Sequence, residues 1–296
     1  MPKLIIDRIA NIVIAVSCLE ALWILLQVTT YASFKVPSNS MEPTLLAGDY
    51  VYVNKWKTGG RFFNVFDALN GKQVPIYRLP GLRKIERNDV LVFNYPYPDN
   101  QSDSLYMDVM LYYVKRCIAL PGDTLEITDT HYRVYGYDGK LGNLKMQHGL
   151  EEMLRYESAE TLRVLGVNIE GIWGDSIMGW SLREMGPVFI PKRGSTLQMN
   201  RENFVLYGKL IAWEQGARLE IDKKGDVLLN ETLLPQYTFT KDYYFMAGDN
   251  AAHSKDSRYW GLVPEEFIVG VATHIWKSVN PNTGKIRWNR VLKKIE

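Results

Sequence analysis

From Ile9 to Tyr31 the chain is almost unbroken apolar sequence, 23 residues with a single charge, Glu20. As a helix that run would span about 34 Å at 1.5 Å per residue, enough for a hydrocarbon core of roughly 30 Å. Its length argues for an uncleaved anchor rather than a cleaved leader, whose apolar core is shorter and ends in small residues. Asn11, Glu20 and Gln27 are unwelcome in lipid, which keeps a buried soluble helix as the competing reading. Lys3 and Arg8 precede the run, so the positive-inside tendency puts the N-terminus in the cytoplasm and the bulk of the chain outside.

Beyond Ala32 the rhythm shortens. Tyr50-Val51-Tyr52-Val53-Asn54 alternates and is rich in β-formers, Val90-Leu91-Val92-Phe93 is a short buried strand, and Leu111 to Leu120 is a second apolar strand interrupted by Lys115-Arg116. Pro121-Gly122-Asp123 follows as a type II turn. Residues 56–88 have no clear period; Trp56, Phe62, Phe63 and Phe66 suit either a membrane interface or a local core. Residues 128–236 form an inserted lobe. Leu150, Met153, Leu154, Leu162 and Leu165 line one or two short helices, and Phe204, Tyr207, Leu210 and Ile211 a longer one between an Asn200 cap and a Gly216 stop. Gly225 and Asn230-Glu231 read as turns between short strands. Strands resume at Tyr243–Met246 and Phe267–Ala272, and the basic tail Trp288–Glu296 is placed near a surface.

The pattern therefore predicts a mainly β protein: an anchor (1–32), an antiparallel β domain in two parts (33–127 and 237–296), and an inserted α/β lobe (128–236). The composition, 46% hydrophobic and 23% charged, is ordinary for a globular chain, and the roughly 260 residues past the anchor can bury a sizeable core. A net charge of +2 gives no footprint for a nucleic-acid partner. Two cysteines, Cys18 in the apolar run and Cys117 in a strand, make no disulfide framework, and four scattered histidines give no metal-site spacing. No cofactor or metal is expected.

Two stretches carry candidate chemistry. Val36-Pro37-Ser38-Asn39-Ser40-Met41-Glu42-Pro43-Thr44-Leu45 sets two serines between prolines, directly after the anchor. Read alone, it is equally a linker leaving a helix. In Tyr112-Tyr113-Val114-Lys115-Arg116-Cys117-Ile118 a lysine sits mid-strand among bulky neighbours. Such a lysine faces solvent, finds a carboxylate or loses its proton, and in the last case it is a general base able to activate a serine. His253, beside Ser254, is the alternative base. Cys117 shares the Lys115 face by alternation and reads as core packing.

Pro37-Ser38-Asn39-Ser40-Met41-Glu42-Pro43-Thr44-Leu45 with Gly48-Asp49 resembles the serine motif of bacterial type I signal peptidases. Tyr113-Val114-Lys115-Arg116 with Leu120-Pro121-Gly122-Asp123 is similar to that family's lysine motif. Gly248-Asp249-Asn250 and Ser254-Lys255-Asp256-Ser257-Arg258-Tyr259-Trp260-Gly261-Leu262-Val263-Pro264 resemble its third signature, and Asn88–Phe93 its short strand motif. These four stretches, in family order, cover about an eighth of the chain. The resemblance implies a Ser/Lys dyad of Ser40 as nucleophile and Lys115 as general base. It implies Ser38 with the Ser40 N–H as oxyanion donors, Ser254 bonded to the Lys115 amine, and Asp256 with Arg258 as a supporting ion pair near Asp249 and Arg116. Ala251 stands where the family commonly has Arg, removing one partner for Asp256 or Asp249.

The implied function is removal of signal peptides from exported preproteins, after small residues at −3 and −1, by a single-pass enzyme on the outer face of the bacterial cytoplasmic membrane. Its partners would be preprotein signal peptides and membrane lipid, with a monomer assumed. Two other readings stay open: a self-cleaving or regulatory Ser/Lys protease of related fold, and a membrane-anchored β-rich scaffold that only binds.

Overall fold

The structure, a computed structural model, describes residues 2–70, 72, 74–97 and 105–296. Helix Pro2–Thr29 carries the apolar run, and from Ile6 to Leu26 none of it is covered by the rest of the chain. A helix apolar on every side and uncovered suits hydrocarbon, where the backbone must pair with itself. It stops earlier than the apolar pattern does. Thr29 and Thr30 turn their hydroxyls back to the Leu25 and Leu26 carbonyls, and Tyr31–Lys35 is already a strand. Periodicity hides this change because the strand is itself half apolar; only pairing with Asp49–Asn54, Phe34 opposite Val51, reveals it.

The main sheet is antiparallel, in the order Tyr31–Lys35, Asp49–Asn54, Ile268–Ser278, Val90–Asn94, Tyr112–Ala119, Tyr243–Ala247, Val263–Pro264. Val90–Asn94 and Tyr243–Ala247 are buried at every residue, which is why they read as continuous apolar runs rather than alternations. Mainly antiparallel β is the class the sequence predicts. The Pro121-Gly122 turn forms as expected, with Gly122 at φ +94 and Asp123 N–H donating to Leu120 O at 3.0 Å.

The region past this turn has its own small sheet, His131–Val134, Thr124–Thr128 and Met185–Phe189, with helices around it. Helix Arg201–Gln215 starts where Asn200 accepts from the Asn203 N–H and ends on Gly216 in the left-handed region. Asn230 and Glu231, both at positive φ, turn Val227–Leu229 back onto Thr232–Leu233. The core is shared: Leu91, Phe93 and Ile118 of the main sheet join one cluster with Leu125, Ile190 and Tyr207. The expectation that the tail lies at the surface needs one correction. Arg290 is buried, drawn in by Asp49, while Lys293–Lys294 pairs with Ile268–Ser278.

Candidate active site

Ser40 sits in a turn that is fixed from several sides. Val36 N–H donates to Asp49 O and Gly48 N–H to Val36 O, closing the loop between the first two strands. Met41 and Leu45, both fully buried, anchor the turn in a second apolar cluster with Val51, Val92 and Ala272. The Asp49 carboxylate accepts from the Leu46 N–H at 2.8 Å, Ser278 Oγ at 2.6 Å and Arg290 Nη2 at 2.6 Å. Burial raises the proton affinity of Asp49, but these donors outweigh it and hold the carboxyl below its ordinary range. What faces outward is small and polar: Ser38 is exposed and Ser40 half-buried.

The far side of the turn rests on Gly248-Asp249-Asn250. Asn250 N–H donates to Ser40 O at 3.1 Å and its amide to Asn39 O at 3.2 Å. Gly248 is required by this approach, since a Cβ there would lie 2.4 Å from Ser40 O and 2.1 Å from Ser254 Oγ.

Lys115 enters from the strand Tyr112–Ala119, in register opposite Leu91. It is 3% exposed, with Nζ 2.5 Å from Ser40 Oγ and 5.4 Å from the centre of the Tyr113 ring. Ser38 Oγ lies 3.4 Å from Ser40 Oγ. Burial lowers the Lys115 pKa to about 8; Asp256 and Asp249 pull it up and Arg258 pulls it down, and burial prevails.

Behind the lysine lie two buried ion pairs. Arg258 donates to both Asp256 oxygens at 2.8 and 2.9 Å, and Gly248 N–H reaches the same carboxylate at 2.9 Å. Burial raises the Asp256 pKa, yet Arg258 and Gly248 N–H leave it lowered overall. Arg116, next to Lys115 in sequence, holds both oxygens of Asp249 at 2.6 Å. Each carboxylate has its own guanidinium, so Ala251, buried in a short 3-10 turn, leaves neither unpaired.

The other candidates fall out less neatly. Ser254 Oγ is buried beside the Asp256 carboxylate, and among the described residues it makes no hydrogen bond to the Lys115 amine, so the expected contact is not formed. His253 is exposed, turned toward Gly166. Cys117 is fully buried and its thiol pKa is pushed well up by burial, which makes it packing. Sequence reading missed Ser278 and Arg290, which hold the serine turn through Asp49 from more than 200 residues away. The one available signal was Asp49 itself, an acidic residue entering a β-rich run.

With this geometry in view, the relatives can be placed. The profile of the family described as "Signal peptidase, peptidase S26" matches residues 6–277. The chain belongs to that family of peptidases. It is 28% identical over 280 residues to the signal peptidase I of Buchnera aphidicola from Acyrthosiphon pisum, covering 88% of this chain and 74% of that protein. It is 28% identical over 257 residues to the signal peptidase I of Pseudomonas aeruginosa, covering 83% of this chain and 64% of that protein, just under two thirds. A crystal structure of a signal peptidase I from Enterococcus faecalis overlays on 65% of this chain and 100% of its own, with 20% identity and a TM-score of 0.30.

Proposed function

We propose that this protein is a membrane-anchored serine endopeptidase that removes signal peptides from exported preproteins, with Ser40 and Lys115 as its dyad. The observation that carries the reading is the 2.5 Å contact between a half-buried serine hydroxyl and a lysine amine that, among the described residues, forms no ion pair with a carboxylate. Burial keeps a fraction of Lys115 neutral near pH 8, so its lone pair takes the Ser40 proton as Oγ attacks the scissile carbonyl. Ser38 Oγ–H and the Ser40 N–H donate to the oxygen on which charge develops. The Lys115 ammonium then gives its proton to the leaving amine, leaving an ester on Ser40. A water deprotonated by Lys115 hydrolyses that ester and restores the enzyme. Asp256 with Arg258 fixes the floor of the pocket, and Ser254, a buried hydroxyl against Gly248, is the group available to steer the amine when substrate closes the site.

Substrate binds extended beside the dyad, so its −1 and −3 side chains point the same way and small residues are required at both. The N-terminus is cytoplasmic, following Lys3 and Arg8, and the catalytic domain lies outside the cytoplasmic membrane as a single-pass monomer. The residues divide into an anchor, a two-part catalytic β domain and an inserted lobe. Purified full-length protein incubated with a preprotein in detergent should release a product whose N-terminus begins after a small residue. Equal kcat/KM for Ala and Phe at −1 would contradict the signal-peptide reading and leave a broader protease.

A further inference from the structure

The inserted lobe meets the main sheet across a cavity of about 990 Å³, apart from the turn that carries Ser40. One wall is Tyr95, just past the strand Val90–Asn94, with Trp260 of the third signature. The other is Trp173 and the helix Arg201–Gln215, which contributes Phe204. Voids left by imperfect packing are rarely larger than a water molecule, whereas an aromatic-lined space of this size is that of a ligand site.

Stacked rings join the cavity to the dyad. Lys115 Nζ lies 5.4 Å from the centre of the Tyr113 ring, and Tyr113 lies 4.6 Å from Tyr95 and 5.5 Å from Trp260. Tyr95 and Trp260 meet edge to face at 5.1 Å and both line the cavity. One layer of rings therefore separates the cavity from Lys115. A peptide held at Ser40 comes within reach of it after about three or four extended residues, at roughly 3.3 Å each.

Charge decides which part of a preprotein belongs there. Lys209 and Lys255, both exposed, line the cavity, and among the described residues that line it there is no carboxylate. Arg218 lines it too, paired with Glu220. Lys209 Nζ sits 5.6 Å from the Tyr97 ring, so cations and aromatic faces are interleaved. Upstream of the scissile bond a signal peptide carries positive charge at its start, followed by an apolar core. The lysines repel the first, and the second stays in the bilayer. The mature chain has neither constraint, and acidic residues in it complement this lining.

We propose that the cavity is a second binding site for the preprotein, taking an acidic stretch of the mature chain a few residues past the cleaved bond. The proposal rests on the signal-peptidase reading of Ser40 and Lys115 and gives the lobe its part in it: the lobe holds the mature chain while the dyad cuts. Contacts made there are remote from the reacting atoms, so they act chiefly on KM.

The test uses full-length protein in detergent and three peptides with one cleavage site: one ending at +2, and two reaching +8 with either Asp or Lys at +4 and +6. The Asp peptide should exceed the Lys peptide by roughly three- to tenfold in kcat/KM, and the gap should shrink in high salt. Lys209→Glu with Lys255→Glu should reverse the order, which a folding defect cannot do. Equal kcat/KM for the two long peptides in wild type overturns the proposal, as does an Asp preference that survives in the double variant. If the +2 peptide is cut and the long pair do not differ, the second site alone is lost. If wild type cuts none of the three, the peptidase reading fails and the site falls with it.

Discussion

The pocket holding Lys115 and the layer behind it both bury cations, and they treat them in opposite ways. Arg116 and Arg258 are each clamped by both oxygens of a carboxylate, Asp249 and Asp256. Lys115 is 3% exposed and, among the described residues, is paired with a hydroxyl, Ser40 Oγ, and no carboxylate. A buried charge with a carboxylate is locked into its ionised form, whereas one without is pushed toward neutrality. The two layers are linked. Asp256 and Asp249 would hold a proton on Lys115, but Arg258 opposes them and burial is the largest influence, so the pKa falls to about 8. The paired layer is structural, and by neutralising its own carboxylates it leaves the unpaired lysine free to act as a base.

The sharpest way to break the contrast is to give Lys115 a charge it cannot lose. Lys115→Arg should be inactive, as should Ser40→Ala, each by on the order of 10⁴-fold or more in kcat/KM, with the fold intact by circular dichroism. Activity in Lys115→Arg would return attention to His253.

Removing a partner from the structural layer should cost stability instead. Arg258→Met leaves Asp256 buried and uncompensated, for a loss of about 3–5 kcal/mol in denaturant unfolding. At temperatures where the variant still folds, the freed carboxylate should move the rising limb of activity to higher pH. An unchanged limb with lowered stability would uncouple the two layers.

Gly248→Ala tests the contact between them. A methyl 2.4 Å from Ser40 O must displace the serine turn, and a shift of about 1 Å can cost on the order of 10²-fold in rate. Wild-type kcat in this variant would mean that the turn is not held in place from that side.

The smallest effect runs in the opposite direction. Below pH 8 the Lys115 ammonium is buried in the folded state at full cost. Between about 8 and the ordinary lysine value of 10.5 only the unfolded chain keeps that proton, so the cost fades as pH rises and is gone above that window. Lys115→Met should therefore be inactive but more stable near pH 7, by roughly 2–3 kcal/mol, with the gain vanishing in alkali. A variant less stable than wild type at pH 7 would mean that the pull of Asp256 and Asp249 on the ammonium outweighs its burial.

Much of this site was legible because its parts are local. Ser38 and Ser40 lie two residues apart between prolines, Asp256 and Arg258 form their pair across two residues, and a lysine inside an apolar strand is conspicuous. Helix Arg201–Gln215 announced itself through its Asn200 cap and Gly216 stop. What stayed hidden depends on distant partners. Asp49 reads as a turn residue until Ser278 and Arg290 are seen on it, and the anchor pattern runs into Tyr31 because strand pairing leaves no periodic mark. Arg61 and Arg78 bind main-chain carbonyls, which any sequence could supply, so no motif betrays them.

The central claim is that Lys115 works as a neutral amine, and the pH dependence of kcat/KM on a soluble peptide tests it most directly. The sign is fixed: the base form grows as pH rises, so activity should climb through a free-enzyme pKa of about 8, with full activity above it. A climb already complete near pH 6.5, unchanged by Arg258→Met, would contradict a lysine base and point to histidine.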